Sequence, residues 1–438
     1  MFNLMQHQKI ANMHLKMNES FALFMEQGTG KTLTMLNHIK YLIDNNKIDS
    51  CLIVCPKSVM ASWERDIEKF DPIDQDKLRD VIVVINYDMV WRDENYNKIW
   101  DCIVLDESHL IKSRTSRRSK FLLTISLSAK YRYILTGTPI SNSKLEDLWS
   151  QYCFLKPYKG KRTICSEYFG GSYYDFQDKY CYLNQYYQPY KYRNINEYQD
   201  IMNEHCYRVL KSECLDLPDK LPDEIRTIEL SEKKLYKDLM KDSVIIKYDI
   251  VADNPLSKRL KARQLLSGYI TTDDGIVDVS CEKLKTLEEF LEGYEKKLVI
   301  FAQFKHSMHK IENLLDKKKI KYVTLNGDQK DKGIWRKFQE DQSIKVFIGQ
   351  YDSAATGTDL FAADTILYYE PTEKSNVLDQ SRDRIHRKGQ TNKCSYIHFI
   401  TKGTIEEAIY KALQKHSDFT DDLFNEYMEE YTKSFNKR

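Results

Sequence analysis

FALFMEQGTGKTLTML, Phe21 to Leu36, is the stretch on which the fold turns. An apolar run from Phe21 to Phe24 breaks at a glycine-containing segment and resumes as a helical pattern from Lys31 to Ile43. A strand that turns on glycines into a helix is the context a phosphate loop requires. Backbone N–H groups around Gly28, Thr29 and Gly30 would surround an anion at the helix N-terminus. Lys31 would reach the β- and γ-phosphates of a nucleotide, and the Thr32 hydroxyl would hold Mg2+. The full phosphate-loop pattern is not met, because Met25 occupies its first glycine position. Alone, the segment also fits a plain glycine turn that opens a helix.

Outward from this loop the rhythm repeats. Cys51 to Cys55 reads as a strand, Val59 to Phe70 as a helix, and Val81 to Ile85, Cys102 to Leu105 and Tyr133 to Leu135 as further strands. Strands that alternate with helices predict a parallel sheet covered on both faces. From about residue 150 to 217 tyrosine is dense, and a mostly helical elaboration of the first lobe is expected. LDLPDKLPDE, with two prolines and many charges, marks a crossover at 218–230. The rhythm then returns, with strands at Leu298–Phe301, Tyr322–Leu325, Val346–Ile348, Thr365–Tyr369 and Ser395–Phe399 and a closing helix from Ile405 to His416. The fold class is α/β: two tandem parallel-sheet lobes, 1–217 and 231–438. Ligands of such sheets sit at the carboxyl ends of the strands.

The bulk properties allow this. The 438 residues, 42% hydrophobic, suffice for two cores, and 30% charge argues against a disordered tail. The net charge of +2 does not by itself advertise nucleic acid, although Lys and Arg cluster locally. Ten cysteines without a CxxC pair suggest neither zinc nor a thioredoxin-like centre and fit a reducing compartment. There is no membrane-spanning apolar run and no signal-peptide pattern, so a cytoplasmic protein without membrane contact is expected.

Four more segments carry chemistry. CIVLDESHLIK, Cys102 to Lys112, delivers Asp106 to hold Mg2+ and Glu107 to polarise an attacking water. Alone it also fits a charged strand-to-helix turn. YILTGTPISN, Tyr133 to Asn142, offers Thr136 and Thr138 as relays of the nucleotide state. In the second lobe, Gly357 and Asp359 follow a strand and bring backbone and a carboxylate to the cleft. DQSRDRIHRKGQ, Asp379 to Gln390, puts Arg384 and Arg387 three apart, on one helix face, aimed at a γ-phosphate. A solvated basic helix is the alternative.

The set and order of these segments resemble the SNF2 family within helicase superfamily 2, over nearly the whole chain. His7-Gln8, in LMQHQKIANMHL, looks like the glutamine element that reads adenine. MEQGTGKT, DESHLIK and LTGTPISNSKLEDLW look like the nucleotide loop, the metal–water box and the coupling segment. DQSRDRIHRKGQ followed by the brace-like GTIEEAIYKAL is the most specific match. The resemblance implies two RecA-like lobes closing on one ATP with Mg2+. It implies that Gln8 contacts adenine and that Gln380, Arg384 and Arg387 complete the site from lobe two. It also implies movement along duplex or branched DNA, with RNA less favoured and an accessory protein left open. Four positions depart from the pattern. Ser108 stands where alanine is usual, Ala354 and Ala355 where a glycine pair is usual, and Lys332 where arginine is common. Compactness and a Lys/Asn/Tyr-rich composition suggest a minimal, phage- or prophage-type member, which would work in the host cytoplasm.

A motor that tracks a duplex needs phosphate contacts in both lobes. The candidates are Lys57, Ser58, Trp63, Lys112, Arg114, Arg117 and Arg118 in lobe one, and Gln303, Lys305 and His306 in lobe two. The tyrosine-rich stretch either packs against lobe one, the commoner use of tyrosine, or stacks on exposed bases. Competing classes are an RNA-directed ATPase, a nucleic-acid scaffold with a dead motor, and a metabolic phosphate-loop kinase. The last does not explain the second lobe and its arginines.

Overall fold

The structure, a computed structural model, describes residues 4–69, 72–140, 144–329, 331, 333–355 and 357–435. Ser141 and Asn142 of the coupling segment, Phe70 at the end of a predicted helix and Lys332 lie outside them. The chain divides into two compact units, Met1–Asp216 and Leu217–Arg438.

Unit one is built on a six-stranded sheet. Its order across the sheet is Cys206–Val209, Ser20–Met25, Tyr131–Leu135, Cys102–Asp106, Cys51–Cys55 and Ile82–Asn86. Every pairing in it is parallel. Parallel strands need both faces covered, and the two-residue period of a strand supplies both faces with apolar side chains. Phe21, Leu23, Ile53 and Val104 pack with helices Gln6–Met17 and Lys31–Asp44 in one core. Their neighbours Ala22, Phe24, Leu52 and Ile103 pack with helices Arg117–Ser126 and Asp147–Leu155 in the other. Val81, predicted as a strand start, instead ends helix Pro72–Val81, and the strand begins one residue later.

The elaboration contains helices Tyr173–Tyr180 and Ile195–Glu204 together with two short antiparallel hairpins. Its strand Cys206–Val209 returns to the main sheet beside Ser20–Met25. The segment is therefore helical with hairpins, and it completes the sheet it decorates.

Unit two repeats the plan in the order Glu224–Ile228, Ser395–Thr401, Thr365–Tyr368, Leu298–Ala302, Val346–Gln350 and Tyr322–Leu325. All its pairings are parallel. Alternate residues again divide between two cores: Val299 and Phe301 on one face, Leu298 and Ile300 on the other. The stretch 218–230, read as a crossover, is corrected here. Glu224–Ile228 is an edge strand of this sheet, and Leu221 N–H already donates to Cys394 O at 2.8 Å. Charged and proline-flanked sequence hid the strand, because an edge strand buries little of its surface. Helix Ile405–Gln414 follows the last sheet strand, and helix Asp421–Phe435 follows that. Among the described residues no helix is long and apolar enough to cross a membrane.

Candidate functional site

The Ser20–Met25 strand ends at the loop, and helix Lys31–Asp44 starts with Gly30 as its N-cap. Gly28 and Gly30 have φ of 83° and 87°, the left-handed region that glycine enters without steric cost. A Cβ on Gly30 would lie 2.1 Å from Gln8 Nε2, so this position also admits the helix Gln6–Met17 against the loop. His7 Nε2 donates to Thr29 O at 2.8 Å, and Gln8 Nε2 lies 3.4 Å from both Thr29 O and Gly30 O. The Gln8 carbonyl accepts from Met5 N–H at 2.9 Å, which fixes the amide's orientation. Lys31 is buried, with its ammonium on Met25 O at 2.8 Å and Glu26 O at 3.4 Å. Thr32 is half-buried on the first turn of the helix. Four predicted features, the glutamine, the glycines, Lys31 and Thr32, thus share one helix N-terminus.

Asp106 ends the central Cys102–Asp106 strand and pairs in register with Leu135. Its Oδ1 accepts Glu107 N–H at 3.0 Å, and its Oδ2 accepts the Trp63 indole N–H at 2.9 Å. Glu107 has a left-handed φ of 54°, uncommon for a residue with a Cβ, which turns its side chain away from the strand. Its carboxylate accepts from Thr136 Oγ1 at 3.3 Å and faces His109 Nδ1 at 3.3 Å. Thr136 Oγ1 in turn accepts Thr138 N–H at 3.1 Å. The two carboxyls are pushed apart by their surroundings. Burial, then the neighbouring Glu107 charge, raises Asp106, against the opposing Lys31 charge and the Trp63 N–H. Burial also works on Glu107, but the His109 hydrogen bond and charge, Lys31 and Thr136 outweigh it and hold that carboxyl low.

A buried acid with a raised pKa is one whose negative charge lacks full compensation, and a divalent cation would supply it. Among the described residues no cluster of three or more His, Cys, Asp or Glu side chains is placed to hold a metal. Asp106 and Thr32 are side chains that could offer oxygens to Mg2+, which takes one or two protein oxygens and completes its shell with phosphates and water.

Two residues overlooked in the sequence, His109 and Gln151, belong here. His109 bridges Glu107 and Thr136, at 3.3 Å and 3.2 Å. Its place two residues after Glu107 was the available signal. Ser108 is buried and donates to Gln151 Oε1 at 2.7 Å, while Gln151 Nε2 donates to Pro139 O at 2.7 Å. The hydroxyl that departs from the family's alanine therefore ties the metal–water box to the coupling segment.

In unit two the arginines converge, but not as a helix face. Helix Ser375–Arg382 ends before them, with Asp383 as its C-cap, and Arg384 and Arg387 lie in the turns beyond. The Gln390 side chain stabilises those turns by donating to Ala363 O at 2.8 Å and Ile385 O at 3.3 Å. Both guanidinium groups meet at one carbonyl: Arg384 Nη1 and Arg387 Nη1 donate to Thr358 O at 3.2 Å and 3.3 Å. Arg387 also pairs with Asp359, and Arg384 Nε donates to Gln380 O at 2.9 Å. Gly357, with φ of 74°, makes the turn that presents Thr358 and Asp359. These two charges are thus already partnered within unit two. Ala354 and Ala355 are buried, and the Ala354 methyl would lie 2.7 Å from a Cβ on Gly349, so here the methyl fills space beside a strand glycine.

The candidate nucleic-acid contacts divide. Trp63 is fully buried and serves Asp106, so its assignment as a surface contact is corrected. Lys57 and Arg117 are exposed, and Ser58 is half-buried. Lys112 lies 3.8 Å from Asp147, and Arg118 lies 3.8 Å from Asp88. Arg114 stacks over Tyr173 at 4.4 Å. In unit two, Lys305 pairs with Asp328 at 2.6 Å and His306 with Asp278 at 2.8 Å. Gln303 N–H donates to the buried Glu370 at 2.7 Å. Glu370 also accepts from Phe304 N–H at 3.3 Å and from the Ser307 hydroxyl, capping helix Lys305–Lys317.

The chain matches the SNF2-related domain over residues 6–96 and 73–272 and the helicase conserved C-terminal domain over residues 282–389. It is 25% identical, over 89% of its length and 41% of the relative's, to SWI/SNF-related matrix-associated actin-dependent regulator of chromatin subfamily A-like protein 1 of Xenopus tropicalis. It is 24% identical to mouse chromodomain-helicase-DNA-binding protein 1-like, over 88% of this chain and 46% of that one. It is 26% identical to an uncharacterized ATP-dependent helicase of Mycoplasma pneumoniae, over 88% and 38%. It thus spans less than half the length of these relatives. Among solved structures, the Sulfolobus solfataricus SWI2/SNF2 ATPase core in complex with dsDNA is 26% identical, with 97% of this chain and 92% of that one covered at a TM-score of 0.44. With the first domain matched across more than half of its residues, the chain belongs to the SNF2 family of helicase superfamily 2.

Proposed function

We propose that this protein is an ATP-dependent motor that tracks DNA through its phosphate backbone without reading sequence. The observation that carries the reading is the linked array in unit one, where a glycine loop with Lys31 and a split pair of carboxylates are joined through His109 and Thr136 to the coupling segment. When bound, Mg2+–ATP supplies the phosphoryl bond to be broken and much of the positive charge that offsets it. Lys31 leaves its carbonyl partners to neutralise the β- and γ-phosphates, and the Gly28–Gly30 amides hold them at the helix N-terminus. His7 and Gln8, which bond the carbonyls of the loop, would contact the adenine. Asp106 and Thr32 would hold the metal, and Glu107, kept anionic, would orient and polarise the attacking water.

Arg384 and Arg387 act on the same nucleotide during turnover. Leaving Thr358 O and Asp359 for a phosphate exchanges one set of acceptors for a more highly charged one, strongest as charge develops in the transition state. Such a contact is made only in the engaged state, so it can link polymer binding to chemistry. Lys57, Lys112, Arg114, Arg117, Arg118, Lys305 and His306 supply sequence-independent phosphate contacts. DNA is preferred over RNA on the strength of the relatives' names, one of them a DNA-binding protein.

The test is ATP turnover without polymer and with duplex DNA, single-stranded DNA and RNA, over a range of salt. Duplex should stimulate most, and less as salt rises, because phosphate contacts release counterions. Lys31→Ala should abolish turnover. Glu107→Gln should bind ATP and fail to hydrolyse it, since the metal ligand remains. Turnover indifferent to every polymer would instead indicate a small-molecule phosphotransferase.

A further inference from the structure

The tyrosine-rich stretch divides into two populations. Tyr180 and Tyr198 are buried and pack with Phe169 and Phe176, ring centres 5.1–5.9 Å apart for the pairs Phe169–Phe176, Phe169–Tyr180 and Tyr180–Tyr198. The hairpin that follows, strands Cys181–Leu183 and Pro189–Tyr192, does the opposite. Its Tyr182, Tyr186, Tyr187 and Tyr190 are 42%, 72%, 81% and 66% exposed. Core packing accounts for the first group and leaves the second without a role in the mechanism above.

The exposed rings stand on an ordered tip. Asn184 Oδ1 accepts the N–H groups of Tyr186 and Gln188 at 2.9 Å and 3.0 Å, and Asn184 N–H donates to Gln188 O at 2.9 Å. The base of the hairpin is tied to the body of unit one by Tyr192 OH, which donates to Glu146 at 2.5 Å. Tyr187 has φ of 58°, a left-handed backbone that a residue with a Cβ enters at a cost and that Asn or Gly would suit better. The ring is exposed on a backbone that does not favour tyrosine.

Charge selects the partner. From Cys181 to Asn196 there is no acidic residue, and the cations Lys191 and Arg193 lie over the Tyr182 ring at 5.9 Å and 5.2 Å. The surface continues towards the basic stretch around residues 112–118, because Arg114 stacks on Tyr173 and on the exposed Tyr174, at 4.4 Å and 5.3 Å, where the helix leading into the hairpin begins. Aromatic faces interleaved with cations, on a hairpin whose own sequence carries no carboxylate, match a polyanion with planar rings.

We propose that this hairpin is a stacking surface for the unpaired bases of a nucleic-acid single strand, which gives the motor a preference for DNA carrying a single-stranded region. The inference rests on the motor reading and adds a structural preference to it. Base stacking on tyrosine is sequence-tolerant, in keeping with backbone-only contacts elsewhere.

The test uses the full chain, a labelled oligothymidylate and a labelled blunt duplex, with binding followed by anisotropy. The triple variant Tyr186→Ser, Tyr187→Asn, Tyr190→Ser should lose about tenfold or more in affinity for the single strand. Its duplex affinity, and its ATPase at saturating blunt duplex, should stay close to the parent's. Its thermal midpoint should hold or rise, because Asn suits the left-handed position at 187. The matching triple Phe variant keeps the rings and should keep single-strand affinity. Unchanged single-strand binding by the Ser/Asn variant would overturn the inference and leave the hairpin to a protein partner. Equal loss on duplex and single strand would also overturn it, by making the hairpin an ordinary backbone contact. A parent that binds duplex but no single strand defeats the stacking inference alone. A parent that binds neither polymer defeats the motor reading beneath it.

Discussion

Trp63 links helix Met60–Glu68 to the end of the Cys102–Asp106 strand through one hydrogen bond, and that bond reaches a proposed metal ligand. By its segment, CPKSVMASWERDIEKF, which resembles an element that touches the nucleic-acid backbone, Trp63 pointed outward. Its full burial and its one polar partner point inward instead. Trp63→Phe keeps most of the ring volume and removes the N–H. Asp106 then loses an interaction that favours its charged form, and a hydrogen bond to a charged group is worth about 1.5–3 kcal/mol. The variant should lose about tenfold or more in turnover by that measure, while its affinity for duplex DNA is unchanged. Measuring both on one preparation separates the roles, since a surface contact would give weaker DNA binding with normal turnover at saturation. At this level the glycine turn that opens helix Lys31–Asp44 was legible, because two glycines between a strand and a helical pattern mark positions of positive φ. The role of His109 was not, because its place two residues after Glu107 does not say that it will also reach the Thr136 hydroxyl.

Among elements, the edge strand Glu224–Ile228 and the turns after helix Ser375–Arg382 are joined by a cluster that neither sequence segment discloses alone. Asp223 pairs with Arg382, faces His398 Nε2 at 3.3 Å and accepts from Tyr410 OH at 3.1 Å. Pro218 O accepts from His386 Nε2 at 2.8 Å, and Lys220 lies 3.7 Å from Asp383. The residues that open unit two are therefore laced to the segment that carries Arg384 and Arg387. Burial pushes the Asp223 carboxyl up, but the His398 hydrogen bond and the Arg382 charge prevail and hold it below its ordinary value. A carboxyl lowered in the folded state stabilises fully above its unfolded value of about 3.9, and that gain is lost as pH falls through the folded value. Asp223→Asn should cost about 1.5–3 kcal/mol near neutrality. The gap to the parent should close once the pH drops well below ~4. Denaturant unfolding at both pH values checks this, and a gap that persists in acid would assign the loss to packing rather than charge. The arginine segment shows why local reading failed. A spacing of three implies a shared face only while the helix lasts, and here it stops at Arg382.

The two units each own a complete six-stranded sheet and two apolar cores, so each satisfies the ordinary conditions for folding alone. Residues 1–216 and 217–438 expressed separately should each unfold cooperatively, followed by circular dichroism. The first should bind a labelled ATP analogue through the Lys31 loop and fail to turn ATP over, because Arg384 and Arg387 are on the other piece. In the full chain, Arg387→Ala should bind duplex like the parent and lose polymer-stimulated turnover severely. Normal turnover at saturating duplex with weakened binding would move Arg387 to the list of DNA contacts.

The alternation of strand and helix, the double core and the order of the nucleotide segments could all be read along the chain. They are set by local periodicity and by residue types with narrow uses: glycine where φ is positive and a carboxylate at a strand end. The tertiary structure decided what local pattern cannot encode. It put Trp63 beneath Asp106 rather than on the surface, turned part of the crossover into a sheet edge, and brought Arg384 and Arg387 to one carbonyl through turns. It also divided one run of tyrosines into a buried cluster and an exposed hairpin. In each case the deciding term is a partner distant in the chain, an indole N–H to a carboxylate 43 residues away or a guanidinium to a carbonyl 26 residues away. Such pairings depend on how the elements pack, and no window of sequence contains both halves.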